Sequence, residues 1–387
     1  MTFYIQHGYG KGQKLPEVLS TGNLGGVILS PGDEDSGTFG ETARYCRQNQ
    51  VSVLVDPQFY FYSTQPSGSG RNHDSHGLSF GGLSWAQDAQ SLANYVNRVG
   101  ELNSATNPDG LWIAPGPLLE SFAGLWTPLS VQLARTASQS WGEERTLATV
   151  AIDESALGQW NEIERWLDVA TTLPVHGFYI LVSRPSTSYP TLPWAPAKLA
   201  NLLRLIHVLG VLNEFEVVWG FSDFEGLLGL GAGATAMATG WSYTLRQFSS
   251  TKWMSPAGGG RAATVRTHLR QLWSVPRAEA EVAPLFESDL QSTVFSEDEI
   301  AAYSGADFGS LTRVEMQVDH MNVLAQRARL LSAQPDLGVR AEMISGSLER
   351  ALCLFDEIDQ SGILLEPAYR KRVQSYRDGF SIFTDEI

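Results

Sequence analysis

The sequence predicts a (β/α)8 barrel followed by an all-helical C-terminal region, and three observations support this fold class. Eight short apolar runs, each followed by Gly, Pro, Ser or Asp, recur at intervals that leave room for a helix. Most runs are apolar at successive positions, as expected for parallel strands that are covered on both faces. After Trp273 the strand signal fades while helical periodicity continues. A doubly wound sheet remains the alternative, because periodicity does not show closure.

The predicted strands are rich in β-branched and aromatic residues, as in the runs VSVLVD and GFYILVS. In chain order they cover residues 3–7, 26–30, 51–56, 110–114, 147–153, 177–183, 215–221 and 234–239. Strands and helical segments alternate through about 240 residues, which is typical of a (β/α)8 barrel.

Between these strands, apolar residues recur at helical spacing. Within the barrel, helices are expected over residues 85–102, 155–169 and 196–212. In the C-terminal region, amphipathic helices are expected over residues 313–333 and 339–358. We therefore expect a barrel catalytic domain over residues 1–275 and a helical region over residues 276–387.

Composition narrows the class of protein. Hydrophobic residues make up 43% and charged residues 18% of the chain, so a large core is available and a disordered protein is excluded. The sequence has neither a long apolar run nor a signal-peptide pattern, which predicts a soluble, cytoplasmic protein without a membrane partner. Its two cysteines are too few for a disulfide scaffold or a cysteine-rich zinc site, and we expect no metal and no cofactor.

The net charge of −15 argues against indiscriminate binding to polyanions, but one region departs from it. Residues 226–278 contain no Asp or Glu. The basic residues of this stretch that we assign to nucleic-acid binding are Arg246, Lys252, Arg261, Arg266 and Arg270. Arg266 and Arg270 are four residues apart and are expected to share a helix face. A chance fluctuation of surface charge is the alternative on charge alone.

Barrel enzymes place their chemistry at the carboxyl ends of the strands, and several carboxylates occur there in this sequence. Asp56 ends the third predicted strand, where an unpaired carboxylate would be costly, and Asp153 ends the fifth. A pair of crowded carboxylates suits the cleavage of a glycosidic bond, because one can hold a proton while the other stays ionised. Asp56 and Asp153 are therefore the predicted catalytic residues, facing a shared cavity.

Further polar and aromatic residues occur at the same predicted strand ends. The possible additional pocket residues are His7, Asp33, Glu154, Arg184 and Asp223. Asp33 and Asp223 could instead cap helices, and strand alternation leaves room for only one of Asp153 and Glu154 in the mouth. The residues predicted to stack on a base or a sugar are Phe59, Tyr60 and Trp241, with simple packing as the alternative.

Two segments carry a resemblance to a known family. Residues 216–240 (EVVWGFSDFEGLLGLGAGATAMATG) and residues 53–61 (VLVDPQFYF) resemble the strand-seven-to-eight and strand-three boxes of the tRNA-guanine transglycosylase superfamily. The resemblance implies a (β/α)8 barrel that cleaves a base from its ribose. It places the family's base-site carboxylate on Asp56 and its base-reading polar residue on Asp153.

The sequence departs from that family at two places. The nucleophilic aspartate of the family falls on Ala238, and its cysteine-rich zinc motif is missing. The resemblance therefore implies hydrolytic base removal rather than base exchange. Superfamily relatives that act on DNA, including base-excising proteins of phage defence, suggest DNA with a modified base, including phage DNA, as the substrate.

Three functions stay open at this stage. The first is a DNA glycosylase that flips a base into the barrel and leaves an abasic site. The second is a transglycosylase-like base exchange or the hydrolysis of a free nucleoside or small glycoside, and the latter would not need a basic surface. The third is a non-catalytic barrel that binds nucleic acid. Protein partners and the oligomeric state are not indicated by the sequence.

Overall fold

The computed structural model describes residues 2–9, 12–64, 71–79, 88–185, 189–250 and 264–387. Within them, nine strands form one parallel sheet. They are β1 (Phe3–Gln6), β2 (Gly26–Leu29), β3 (Ser52–Val55), β4 (Trp112–Ile113), β5 (Leu118–Leu119), β6 (Thr146–Asp153), β7 (Gly177–Ser183), β8 (Glu216–Trp219) and β9 (Ala236–Thr239).

The sheet curls into a nearly closed barrel of eight strand positions. The strand order is β3-β2-β1-β9-β8-β7-β6-β4, and β5 also pairs with β6, so β4 and β5 together fill the fourth position. Because β1 pairs with both β2 and β9, the first strand meets the last, which a doubly wound sheet would not do. The predicted (β/α)8 barrel is confirmed, with its seam between β3 and β4.

The strands lie where the apolar runs predicted them, and most are shorter than predicted by one or more residues at their ends. Their residues are almost all buried, since helices cover the outside of the barrel and side chains fill its interior. Only the fourth strand is broken, because two proline residues, Pro115 and Pro117, separate β4 from β5 and cannot donate to the ladder.

Helices connect the strands and continue into the C-terminal region. In the barrel part they are α1 (Lys14–Ser20), α2 (Ser36–Gln48), α3 (Tyr60–Thr64), α4 (Ala89–Thr106), α5 (Thr127–Trp141), α6 (Trp160–Ala170), α7 (Pro196–His207), α8 (Glu225–Ala232) and α9 (Tyr243–Arg246). The C-terminal helices are α10 (Ala283–Phe286), α11 (Gln291–Val294), α12 (Glu297–Tyr303), α13 (Arg313–Ser332), α14 (Leu337–Ser361) and α15 (Pro367–Glu386).

Local signals set many of the helix ends. The side chains of Asp35, Asp88 and Asp336 accept backbone N–H bonds at the starts of α2, α4 and α14. Thr312 and Glu315 form a reciprocal capping box at the start of α13. The predicted helix over 155–169 divides into a 3-10 turn (Glu154–Gly158) and α6, and the one over 196–212 ends in a π turn (Val208–Leu212).

The C-terminal helices pack on one side of the barrel. α15 lies along α7, α13 and α14 cover α8, and α13 also contacts α1. Gly229 and Gly231 make this close packing possible: a Cβ at Gly231 would lie 2.4 Å from Cδ1 of Ile344 on α14, and one at Gly229 would lie 2.6 Å from the Trp219 ring. The glycine-rich run at the end of α8 therefore serves helix packing.

One sequence expectation about this region is wrong. Arg266 and Arg270 do not share a helix face, because residues 264–277 form an irregular turn with two isolated antiparallel bridges, Arg266 to Arg277 and Leu269 to Ser274. Separately, none of the described helices combines the length and apolarity that crossing a bilayer requires.

Candidate active site

Polar side chains converge where β1, β2 and β3 end. We call Gln6, His7, Asp33, Glu34, Asp56 and Gln58 the rim cluster, and all six are buried. Gln6 closes β1, Asp33 and Glu34 follow β2, and Asp56 and Gln58 follow β3. Neighbouring parallel strands bring their carboxyl ends to the same rim, which is why residues far apart in sequence meet here.

Asp56 lies at the centre of this cluster with no solvent exposure. Its Oδ2 accepts from the Tyr60 hydroxyl at 2.7 Å and lies 3.2 Å from the Tyr179 hydroxyl, while its Oδ1 accepts from the Gln58 backbone N–H at 3.0 Å. Burial raises the pKa of Asp56 to about 6, although these three donors oppose the shift. Asp56 can therefore hold or release a proton near neutral pH.

Two tyrosines are fixed as donors to this carboxylate. Burial, with the nearby Asp56 charge, raises the pKa of both Tyr60 and Tyr179 well above the ordinary value, so both hydroxyls stay protonated. The Tyr179 hydroxyl also lies 3.2 Å from Gln6 Oε1, so its single proton is shared between two acceptors.

Gln58 adopts a backbone conformation that a side chain rarely takes, with φ of +52°. Its backbone N–H binds Asp56, and its Nε2 lies 3.4 Å from Asp33 Oδ2. Its Oε1 lies against Gly32, where a Cβ would come within 2.2 Å of that oxygen. Left-handed backbone at a non-glycine residue is held only where the surroundings fix it, as at many functional sites.

His7 and Glu34 form the second half of the rim cluster. His7 Nε2 lies 3.3 Å from Glu34 Oε1, and Thr42 Oγ1 lies 3.4 Å from the same oxygen. His76 Nε2 binds the Glu34 backbone carbonyl at 2.8 Å, which ties the loop after α3 to the rim. The sequence predicted His7 and Asp33 at the mouth: in the structure His7 contacts Glu34, and Asp33 contacts Gln58, whose backbone N–H binds Asp56.

Several buried polar atoms at this rim have no hydrogen-bond partner among the described residues. They are Gln6 Nε2, His7 Nδ1, Ser30 Oγ, Gln58 Oε1 and Thr239 Oγ1. Unpaired polar atoms are costly when buried, and native proteins keep few of them. A set that includes both donors and acceptors is suited to binding a polar ligand.

A short segment after α9 lies over this rim. We call residues 247–250 the rim strap. Phe248 is fully buried with its ring centroid 4.9 Å from that of Tyr60 and 5.4 Å from that of Phe221. Phe221, at the end of β8, also has a positive φ of +52°. The strap covers the aromatic residue that donates to Asp56.

Asp153, the second predicted catalytic residue, has a local role. It is partly exposed, and its Oδ1 accepts from the backbone N–H and the hydroxyl of Ser155, which caps the 3-10 turn after β6. Within the described parts of the chain, no hydrogen bond joins Asp153 to the rim cluster. Its participation with Asp56 stays a prediction.

Glu154 and Arg184 pair with each other near the ends of β6 and β7. Arg184 Nε lies 3.0 Å from Glu154 Oε2, and the guanidinium stacks on Trp194 at 4.0 Å. Its other nitrogens donate to the carbonyls of Leu192 and Pro193 and to Gln247 Oε1. Arg184 thus fastens the surrounding loops and the rim strap.

Asp223 and Arg246 lie in a second buried cluster, between the barrel and the C-terminal helices. Asp223 Oδ1 is 3.0 Å from His320 Nε2, and Arg246 donates to the carbonyls of Gly240 and Trp241. Burial, followed by nearby arginine charges, holds the pKa of His320 well below its ordinary value. Asp223 thus joins the barrel to α13, and Arg246 binds carbonyls within the barrel part, whereas the sequence placed Asp223 in the pocket and Arg246 at a phosphate surface.

Arg266 and Arg270, from the same acid-free stretch, also donate to partners within the protein. Arg266 donates to Tyr369 Oη and to the carbonyls of Val275 and Tyr189. Arg270 donates to Gln326 Oε1. Lys252 and Arg261 lie outside the described residues. Local charge along the chain did not indicate which way these side chains turn.

The predicted stacking residues are all buried. Phe59 packs edge-on against Tyr62 and Tyr95, Tyr60 faces Asp56 and Phe248, and Trp241 lies below Lys14 Nζ at 5.6 Å. Among the described residues, Tyr60 contacts both Asp56 and the strap.

Sequence reasoning missed Gln6, Gln58, Tyr179 and Phe248. Gln6 and Tyr179 carried a detectable signal, because each is a polar side chain inside an apolar strand. Phe248 carried none, since its position depends on how the chain after β9 folds back.

A surface groove lies away from the rim cluster. A cavity of about 670 Å³ separates α5 from α6, with Phe122, Val131 and Trp166 on its walls and Arg135 and Arg165 beside them. None of the rim residues lines it. Among the described residues, no cluster of three or more His, Cys, Asp or Glu side chains is arranged to hold a metal.

Comparison with known proteins gives no family. No protein-family model matches the chain, and no curated protein matches it either. The functional argument therefore depends on the geometry of the rim.

Proposed function

We propose that this protein hydrolyses the N-glycosidic bond of a nucleobase-bearing substrate at the rim of its barrel. The observation that carries the proposal is Asp56, a fully buried carboxylate with a pKa of about 6 that lies among unpaired donors and acceptors. A group that titrates near neutral pH is suited to proton transfer. The surrounding polar atoms are suited to a heterocycle, which presents both donors and acceptors.

Protonated Asp56 would donate its proton to the departing base as the bond between the base nitrogen and C1′ breaks. Tyr60 and Tyr179 would then stabilise the carboxylate that remains, because both donate to Oδ2. Water would add its oxygen to the cationic C1′, and the proton it releases would restore Asp56. The sum of these steps is hydrolysis.

The wall of the barrel supports water as the acceptor rather than a protein nucleophile. Ala238 is buried within β9 and pairs with Tyr4 of β1. A methyl group stands where the resembling family has a nucleophilic aspartate. Base exchange through a covalent sugar intermediate would therefore need another residue.

The resemblance suggests DNA with a modified base, including phage DNA, as the substrate. One observation favours a second candidate, a free nucleoside. The described arginines of the acid-free stretch donate to protein acceptors, and Arg246 is buried, so these side chains are engaged within the protein rather than by phosphates. Hydrolysis of a free nucleoside would not need a phosphate-binding surface.

The test is to incubate the protein with unmodified DNA, with phage DNAs that carry modified bases, and with free nucleosides. Released bases and abasic sites are measured by mass spectrometry. Asp56→Asn should lower release at least a hundredfold, while Asp168→Asn on the exposed face of α6 serves as the matched control. Unchanged release by Asp56→Asn would refute the role of Asp56.

Asp153→Asn separates two roles for the second predicted carboxylate. If Asp153 only caps the turn, this variant keeps both its stability and its activity, because Asn caps a helical turn about as well as Asp. If it takes part in bond cleavage, activity falls while the variant remains folded. DNA binding without release of any base would instead favour a non-catalytic protein.

A further inference from the structure

We infer that the rim strap is an internal gate that must be displaced before the proposed active site can accept a ligand. This inference rests on the proposed function for the identity of the ligand, but the movement of the strap can be measured without any reaction. In the closed arrangement, Phe248 packs against Tyr60, the residue that donates to Asp56, and a flat substrate ring would have to take its place.

The Phe248 ring is buried between aromatic residues of the rim. Its ring packs against Tyr60, whose hydroxyl donates to Asp56, and against Phe221 at the end of β8. Asp56 itself has no exposed surface. A ligand that reaches the carboxylate from the carboxyl ends of the strands therefore meets the Phe248 ring first.

Hydrogen bonds to the end of β7 hold the strap in place. The Arg184 backbone N–H donates to the Phe248 carbonyl at 3.0 Å, and the Ser250 N–H donates to Ser183 Oγ at 3.1 Å. Gln247 adds two side-chain bonds, accepting from Arg184 Nη1 at 3.3 Å and donating from Nε2 to the Pro185 carbonyl at 2.9 Å. These bonds all reach residues 183–185 at the end of β7, which we call the attachment of the strap.

The closed state leaves polar atoms of the rim cluster buried without hydrogen bonds to any described residue, which costs free energy. Gln6 Nε2 and Gln58 Oε1 are buried without a partner among the described residues. A ligand that displaces Phe248 and binds those atoms recovers hydrogen bonds that the closed protein lacks. Because the affinity for such a ligand falls with the fraction of closed protein, the strap would regulate binding at this site.

Gln247→Ala tests the gate because it removes both side-chain bonds of the attachment and leaves Phe248 and the rim cluster unaltered. Thr244→Ala is the matched control: Thr244 lies on α9, is exposed, and among the described residues its hydroxyl binds Ser242 alone. Amide hydrogen exchange of Arg184 and Ser250 reports opening of the strap. Exchange of Gly220, whose N–H donates to Ile180 in the barrel, reports opening of the barrel itself.

In the wild-type protein, the amides of Arg184 and Ser250 should exchange at least about tenfold faster than that of Gly220. Gln247→Ala should accelerate both by a further factor of about ten, while Thr244→Ala leaves them unchanged. If both amides are as protected as Gly220 and Gln247→Ala does not accelerate them, the strap is a permanent part of the core and the inference is wrong.

A second variant tests the place of the ring. Phe248→Ala, checked for folding by circular dichroism, should bind benzimidazole as a flat-ring probe, and the wild-type protein at the same probe concentration should bind at least tenfold less. No difference between the two would contradict the assignment of this space to a ring. Absence of N-glycoside cleavage by every protein would refute the proposed function alone, since exchange and probe binding need no reaction.

Discussion

Burial of Asp56 makes a prediction about stability that does not depend on any substrate. Burial raises the pKa of Asp56 from 3.8 to about 6, so ionising this carboxyl costs more in the folded protein than in the unfolded chain. The stabilisation that protonated Asp56 provides is complete at a pH below the pKa of this residue in the unfolded chain. It is lost as the pH rises through about 6, the pKa of Asp56 in the folded protein. The shift corresponds to about 3 kcal/mol, of which about 2 kcal/mol is lost between about pH 4 and about pH 8.

Asp56→Asn removes this titration. The free energy of unfolding of the variant, minus that of the wild type, should therefore increase by about 2 kcal/mol over the same pH interval. Guanidinium denaturation followed by tryptophan fluorescence measures both values at each pH. The contributions of other titrating groups to the free energy of unfolding are the same in both proteins and cancel in the difference. One such group is Asp319, because burial also raises its pKa to about 6.

The result that would refute this reasoning is a difference that stays constant with pH, or that decreases as the pH rises. A constant difference would mean that Asp56 has the same pKa in the folded and unfolded states. A decrease would mean that its three hydrogen-bond donors outweigh its burial. Asp168→Asn, on the exposed face of α6, should show no change of the difference with pH.

Three further predictions follow from the same geometry. Tyr179→Phe should raise the pKa of Asp56 further, because it removes a donor to the charged form; carboxyl ¹³C NMR measures this, and a lowered pKa would contradict it. Base release should fall as the pH rises through about 6 if Asp56 acts as the acid, and a pH profile that rises there would exclude that role. Gly231→Ala should cost about 1–3 kcal/mol by thermal unfolding, and it should cost less in an Ile344→Ala background, where the atom that the new Cβ meets is missing. Gly346→Ala, where a Cβ meets nothing within 4 Å, should be neutral or stabilising, and equal losses at both glycines would argue against the packing explanation.

The rim shows which parts of a site the sequence can indicate. Asp56 was predicted because a carboxylate directly after a buried strand is expensive without a role, and the structure places it among two tyrosines and Gln58. Asp153 satisfies the same pattern but caps a turn. The chain pattern marks the end of a strand and does not indicate which acceptors and donors the following residue will meet.

The sequence by itself determined the alternation of strands and helices and the helical extension, because apolar runs and helical spacing are local properties that each segment carries alone. Closure of the sheet into a barrel depends on the pairing of β1 with β9, which no local pattern shows. Only the tertiary structure decided where charged and aromatic side chains lie. Arg246 and Asp223 joined a buried cluster beside the C-terminal helices, and Phe248 folded over the rim. These placements depend on contacts between residues far apart in the chain, and the energies of such contacts are set by neighbours that no local pattern names.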